Sequence, residues 1–179
     1  MKLHAMLTFI LCALLACSSQ APTVDIWTAT AEGNMLELQK HIAAGTDLNQ
    51  KEPAGGGTPL MAACVFGQTD AARLLIENGA ELESKNNEGS TALMTAVFFC
   101  HPDTVKLLLE NGADVNTTNQ NGNTPMDVVA TEWTPQLEGI YNFVAGMMKI
   151  DVDLERIKRI RSDVAKILKQ SGGKLSSEL

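Results

Sequence analysis

The sequence predicts an all-α solenoid of about four helix-turn-helix units, and three observations lead to that prediction. Thr58-Pro59-Leu60 is matched by Thr91-Ala92-Leu93 and again by Thr124-Pro125-Met126, so the threonines recur every 33 residues. A second marker, Asn78-Gly79-Ala80, recurs as Asn111-Gly112-Ala113 with the same period. Between the markers, apolar residues follow helical spacing. Two independent motifs in one register indicate a stack of like units.

Each part of the repeat has a structural role. A threonine where a loop enters a helix can cap free amide groups, and a proline beside it suits the first helical turn. Gly67 and Gly79 are expected to end the two helices of one unit. The stretches TPLMAA (58–63) and NGADVN (111–116) resemble the signatures of ankyrin repeats. This resemblance implies a protein that binds its partners on the concave face of the stack.

The first residues predict export and membrane attachment. Lys2 precedes an apolar run from Ala5 to Leu15, which is about half of the ~20 residues that cross a bilayer. Residues 14–17, Leu-Leu-Ala-Cys, resemble the lipobox of bacterial lipoproteins. That resemblance implies a signal peptide over 1–16, lipidation of Cys17 and a periplasmic location, with Ser18 favouring the outer membrane. A plain secretory signal that ends in cysteine is the alternative.

The period also predicts the domain organisation. A tether over 17–23 is followed by a repeat domain over 24–174 and a tail over 175–179, and the repeats cover about 24–52, 53–86, 87–119 and 120–174. The segment 103–112 reappears as 163–172, 60 residues later instead of 33. About 27 residues therefore split the last repeat, near 131–157.

The insertion is expected to contain two helices. Ile140, Phe143, Val144, Met147 and Met148 follow helical spacing in the first, and apolar residues from Leu154 to Leu168 do so in the second. The second is expected to continue into the outer helix of the last repeat. Covering the open end of the stack is the simplest role for both helices.

The charge is unevenly distributed along the chain. Asp25 to Glu138 contains sixteen acidic and five basic residues, a net charge of −11, whereas Gly139 to Leu179 contains five acidic and eight basic residues, a net charge of +3. Nucleic acid is excluded as a partner of the acidic part, because phosphate binding needs clustered Lys and Arg. The acidic part is either a solvated surface or a surface for a basic protein.

No catalytic or metal-binding pattern is present, so neither an enzyme nor a cofactor is predicted. The histidines are His4, His41 and His101, and no two stand at metal-ligand spacing. His101 is interpreted as a structural residue. Cys64 and Cys100 are not expected to pair, because neighbouring helices stack ~8 to 10 Å apart, beyond the ~7 Å limit for a disulfide. Cys100 replaces a repeat glycine, which predicts a strained backbone there.

One row of side chains is the candidate binding site. In ankyrin proteins the two residues before the glycine that ends the inner helix belong to the concave face. Carried over by position, the row contains Val65, Phe66, Phe98, Phe99 and Glu132, with Trp133 beside it. Clustered exposed aromatic residues are typical of an interface centre. The alternative is that the insertion folds back over these rings and makes them part of the core.

The predicted function follows from these features. The chain is interpreted as a monomeric, non-catalytic module that binds another protein. On the more specific interpretation that partner is basic. The chain is expected to reach the membrane only through its N-terminal lipid. A narrower version is an immunity or inhibitor protein for a toxin that acts in the envelope. Two alternatives remain open: an accessory factor for an exported enzyme, or a small-ligand pocket built by the insertion with Tyr141 and Trp133.

Overall fold

The computed structural model describes residues 21–179, so the predicted signal peptide over 1–16 and the predicted lipidation site Cys17 lie outside it. Across residues 21–179 the backbone forms α-helices and one short 3-10 helix, Ser176–Glu178, with no strand, which confirms the all-α prediction. The α-helices are α1 (Ile26–Ala31), α2 (Met35–Ala43), α3 (Pro59–Phe66), α4 (Thr69–Glu77), α5 (Ala92–Phe98), α6 (Pro102–Glu110), α7 (Pro125–Ala130), α8 (Pro135–Met148) and α9 (Leu154–Gln170). None of these helices is both long and apolar enough to cross a bilayer.

The helices pack as a stack of pairs. The inner helices α1, α3, α5 and α7 each contact the next one, and the outer helices α4, α6 and α9 do the same on the other side. Small, fully buried residues such as Ala29, Ala63 and Ala96 lie between the inner helices. Because these side chains are short, the helices approach closely along the whole stack. This confirms the repeat solenoid that the period predicts.

The repeated threonines begin three of the inner helices. Thr58, Thr91 and Thr124 are at most 2% exposed. Their hydroxyl oxygens accept from the backbone amides of Met61 (3.3 Å), Met94 (3.4 Å) and Asp127 (3.2 Å). Each hydroxyl satisfies an amide that the first helical turn leaves without a partner. The capping role expected from the sequence is therefore present.

The turns between repeats show that the last repeat is split. The Asn49 amide donates to Gly79 O (3.3 Å) and accepts from the Glu81 amide (2.8 Å). Asn116 makes the same pair of bonds to Gly172 O (3.2 Å) and the Lys174 amide (2.9 Å). The partners of Asn49 and Asn116 are 30 and 56 residues away, respectively. The outer helix of the last repeat therefore ends where the sequence places it, after the insertion.

The insertion contains α8 and the first part of α9, as the sequence predicts. However, α8 turns a different face to the stack from the one that the apolar spacing indicates. Leu137 and Tyr141 are buried, whereas Ile140, Phe143 and Met147 are between 52% and 69% exposed. The helix therefore packs on the stack through Leu137 and Tyr141, while Ile140, Phe143 and Met147 leave an apolar surface.

Candidate protein-binding surface

The predicted row lies at the carboxyl ends of the inner helices, and the structure covers half of it. Phe66 is 41% exposed and Val65 is half-buried beside it. Phe99 is only 6% exposed and Phe98 packs against the core. Trp133 also packs against the core, while the neighbouring Glu132 is exposed. The row is therefore open at the second repeat and closed at the third.

Tyr141 of α8 closes the row by inserting between two of its rings. The ring centroids of Tyr141 and Phe98 are 4.4 Å apart, and those of Tyr141 and Trp133 are 5.6 Å apart, both in stacked geometry. Phe99 meets Phe98 edge-on at 5.1 Å. The Tyr141 hydroxyl donates to Phe98 O (2.8 Å), and burial raises its pKa to about 12. Aromatic contacts of this geometry stabilise packed cores.

Arg161 of α9 holds the end of α7 and the Tyr141 hydroxyl together. It is 6% exposed, and its Nη1 donates to the Tyr141 hydroxyl oxygen (3.1 Å). Its Nη2 donates to the carbonyls of Val128 (3.1 Å), Val129 (2.8 Å) and Thr131 (2.8 Å). A guanidinium suits this site because its planar fork presents several donors at once. The carbonyls at the end of a helix also attract positive charge.

Arg156 and His101 have a similar role at the end of α5. Arg156 donates to Phe99 O (3.4 Å), Cys100 O (3.0 Å) and His101 Nδ1 (3.2 Å). His101 Nε2 then donates to Val65 O (3.0 Å) in the preceding repeat. Burial, together with the Arg156 charge, lowers the pKa of His101 and keeps the ring neutral. The structural interpretation of His101 thus agrees with its contacts.

The two described cysteines are separate and buried, as predicted. Cys100 has a φ of +53°, in the left-handed region that is costly for residues other than glycine. The strain expected from its glycine position is therefore present. Burial raises the pKa of the Cys100 thiol to about 11 and that of Cys64 further, so both stay protonated at neutral pH.

A small cleft lies at the open end of the row. Its volume is about 160 Å³. Its lining includes Val65, Phe66 and Phe99 of the repeats, the loop 150–153 between α8 and α9, and the charged side chain of Arg156. This volume is well below the ~300 Å³ at which small-molecule pockets begin, although it fits a single side chain. The insertion therefore both fills one half of the row and shapes the other.

The expectation of freely exposed rings needs correction. Phe99 is buried, and Phe98 and Trp133 are partly covered because Tyr141 stacks between them. The stacked rings also leave no room between Tyr141 and Trp133 for a small ligand. Whether Val65, Phe66 and Glu132 contact a partner stays a prediction.

The family model for ankyrin repeats in three copies matches residues 26–119, more than half of the chain. The chain is an ankyrin-repeat protein. Ankyrin repeats are modules for protein–protein interaction, so the family agrees with a binding surface on the stack. The match ends before α7, and the fourth, split repeat is identified from the hydrogen bonds of Asn116 and from the packing of α7 on α5.

Three curated proteins are similar to parts of this chain. One is an ankyrin repeat-containing protein, P1E11.10, of Schizosaccharomyces pombe, 30% identical over 67 residues, or 37% of this chain and 32% of that protein. The human protein phosphatase 1 regulatory subunit 27 is 38% identical over 61 residues, 34% of this chain and 39% of that protein. The human DNA-binding protein RFXANK is 35% identical over 59 residues, 33% of this chain and 23% of that protein. Each alignment spans less than half of the relative.

Sequence reasoning missed Arg156 and Arg161. Both were counted only as part of a basic segment, although Arg161 lies four residues after Ile157 and three before Val164 on the buried face of α9. A cation at a core position of an amphipathic helix is a signal, because burying it requires a dedicated set of acceptors. A cation at such a position predicts a buried contact with hydrogen-bond acceptors. The sequence does not identify which carbonyls those acceptors are.

Proposed function

We propose that this ankyrin-repeat protein is a non-catalytic interaction module of the bacterial cell envelope, which binds a partner protein beside Phe66. The observation that carries the proposal is the exposed Phe66 ring at the edge of a small cleft. The other rings of the row are covered, so the Phe66 ring is the one that a partner can contact. An aromatic side chain beside a pocket is a frequent centre of binding energy.

The surroundings of Phe66 favour a basic partner. Asp151 and Asp153 line the cleft and are exposed, and Glu32 lies at the equivalent place one repeat earlier. The repeats themselves carry most of the chain's negative charge. Such a surface steers a positively charged protein towards the cleft and adds specificity more than affinity. Arg156 lines the same cleft, so the preference for a basic partner rests on the exposed carboxylates of Asp151, Asp153 and Glu32.

The name of one relative suits a regulatory role, and the charge of this chain argues against a nucleic-acid one. One relative is named as a regulatory subunit of a phosphatase, which is consistent with a module that controls another protein. Another is named as a DNA-binding protein. DNA binding does not suit this chain, because the net charge from Asp25 to Glu138 is −11 and would repel phosphates.

The envelope location rests on the sequence of residues 1–17. If Cys17 is lipidated, the six residues from Ser18 to Thr23 reach at most ~20 Å, so the partner acts close to the membrane. Radiolabelled palmitate tests the anchor directly. Wild type should incorporate the label and Cys17→Ser should not. An unlabelled wild type in a bacterial host would rule out the anchor while leaving the binding surface untouched.

The binding surface is tested by site-specific cross-linking in intact cells. A photoreactive phenylalanine analogue at position 66 should cross-link to one envelope protein, and Phe66→Ala should weaken binding of that purified protein about tenfold or more. Leu36 provides the matched control, because it is also apolar and 60% exposed but lies on α2. Equal cross-linking from positions 36 and 66, or unchanged affinity of Phe66→Ala, would contradict the proposal.

A further inference from the structure

The helix α8 is apolar but lies on the surface. Its fourteen residues, PQLEGIYNFVAGMM, include a single charged side chain, Glu138. Four of its large apolar residues are exposed, namely Ile140 (52%), Phe143 (68%), Met147 (69%) and Met148 (42%). A helix this poor in charge is usually buried or in contact with lipid. This exposed face therefore needs an explanation beyond the fold.

Three of these exposed residues form one stripe, whereas Met148 lies outside it at the end of the helix. Ile140, Phe143 and Met147 are separated by three and four residues, which places them on one side of the helix. Leu137 and Tyr141 lie on the adjacent side of the helix and are buried against the repeats. The stack thus uses one side of α8 and leaves the side with Ile140, Phe143 and Met147 free.

The size of the stripe indicates what kind of surface it meets. The stripe from Ile140 to Met147 spans eight residues, or about 12 Å of helix, and at a width of about 10 Å it covers roughly 120 Å². A stable protein interface buries about 800 Å² on each partner, so the stripe alone is too small for a second copy of this chain. A bilayer surface needs no complementary shape, and short amphipathic helices bind it through their apolar side chains.

The distribution of charge favours an anionic bilayer on this side. The chain carries −11 from Asp25 to Glu138 but +3 from Gly139 to Leu179. An anionic surface repels the repeats and attracts the C-terminal part, where Lys149 ends α8 and Lys158 and Arg159 are exposed on α9. Carboxylates also lie nearby, at Glu138 and Asp151, so the attraction comes from the whole C-terminal part.

We propose that α8 docks on an anionic lipid bilayer, with Ile140, Phe143 and Met147 at the boundary between headgroups and acyl chains. The proposal rests on the envelope location proposed above. A lipid at Cys17 would hold the first repeat near the membrane, and α8 would provide a second contact at the last repeat. Two weak attachments hold a protein on a bilayer more stably than one. The stack would then have a fixed orientation on the membrane.

The test uses the full chain with a tryptophan reporter on the stripe. Phe143→Trp is mixed with vesicles of phosphatidylethanolamine and brominated phosphatidylglycerol, and the emission of wild type, which contains Trp27 and Trp133, is subtracted. The control is Leu36→Trp, on α2 and 60% exposed. Bromine quenches only indoles that enter the bilayer. We expect a blue shift and strong quenching at position 143, little change at position 36, and weaker quenching at high salt.

The outcomes separate this proposal from the anchor. Quenching at neither position, or equal quenching at both, would overturn the docking of α8. A second copy of this chain is the competing occupant of the stripe. If sedimentation shows a dimer that Phe143→Glu abolishes, and vesicles leave position 143 unquenched, the docking of α8 on a bilayer is also rejected. Loss of palmitate labelling with position 143 still quenched would instead reject only the lipid at Cys17.

Discussion

At the scale of single residues, His101 shows how one side chain joins neighbouring repeats. Its Nε2 donates to Val65 O of the previous repeat (3.0 Å), and its Nδ1 accepts from Arg156 (3.2 Å). One repeat earlier, Gln68 makes the equivalent bond to Ala31 O (3.0 Å). The His101 ring must be neutral for Nδ1 to accept a hydrogen bond from Arg156, so this contact depends on pH.

The first prediction concerns the pH dependence of stability. Burial lowers the pKa of His101 from its usual value of 6.5, so below that pH the unfolded chain binds more protons than the folded one. The free energy of unfolding should therefore fall as the pH decreases from about 6.5. In His101→Gln the fall should be smaller, while stability at neutral pH stays within about 1 kcal/mol of wild type, because Gln68 shows that an amide can make this bond.

Urea unfolding at a series of pH values measures both proteins. Asp25 and Asp127 also have lowered pKa values, through hydrogen bonds that stabilise their carboxylates. Their contribution is lost only as the pH falls through and below about 4, so it does not overlap the histidine range. Identical pH profiles for wild type and His101→Gln between about pH 7 and 5 would show that His101 does not titrate as described.

At the scale of the helices, one feature recurs at the carboxyl end of every inner helix. In each case a side chain from further along the chain donates to carbonyls at or just after the last turn. Gln68 donates to Ala31 O, and His101 donates to Val65 O. At the third inner helix Tyr141 donates to Phe98 O, and Arg156 donates to the carbonyls of Phe99 and Cys100. At the fourth, Arg161 donates to the carbonyls of Val128, Val129 and Thr131. These carbonyls have no partner within their own helix. The donors grow stronger along the stack, from an amide to guanidinium groups.

The second prediction tests the strongest of these donors. Arg161→Met removes four hydrogen bonds and leaves buried carbonyls without a donor. We expect the free energy of unfolding to fall by about 3 kcal/mol or more. Arg159→Met is the control, because Arg159 is exposed on the same helix and should change stability by less than about 0.5 kcal/mol. Equal midpoints in urea for the two variants would contradict the role assigned to Arg161.

At the scale of the whole molecule, the insertion acts as a strap across the last two repeats. It leaves α7, returns through α8 over Phe98, and re-enters the stack as α9. The buried residues of α8 are Leu137 and Tyr141, whereas α3 and α5 are packed on both sides. Regions with few buried contacts open locally at low cost. The strap is therefore expected to be less stable than the stack that it covers.

The third prediction is that α8 can be released without unfolding the repeats. Tyr141→Ala removes the ring between Phe98 and Trp133 and the hydroxyl between Phe98 O and Arg161. Amide hydrogen exchange should become markedly faster in α8 and in the loop after it, and change little in α1 to α4. Phe143→Ala, at a residue 68% exposed, should leave the exchange of α8 unchanged. Uniformly faster exchange over the whole chain would contradict the strap.

The repeats could be predicted from the sequence because their signals are local. Thr58, Thr91 and Thr124 cap the helices that follow them within three residues, and the period places equivalent residues in equivalent contacts. Because every unit repeats the same short-range geometry, a correct prediction for one unit also applies to the next. The stacked fold and the split of the last repeat followed from that regularity, and the position of the candidate row followed from the resemblance to ankyrin repeats.

The tertiary structure alone decided which half of the row stays open. The helix α8 has apolar residues on two sides, so its periodicity does not identify the buried one, and the choice of Tyr141 over Phe143 depends on Phe98, 43 residues away. The contacts of Arg161 likewise span 20 to 33 residues. Local patterns determine where helices begin and end, whereas the rotation of an inserted helix about its own axis depends on distant packing partners. For that reason the sequence determined the stack, and only the folded chain left Phe66 exposed and covered Phe99.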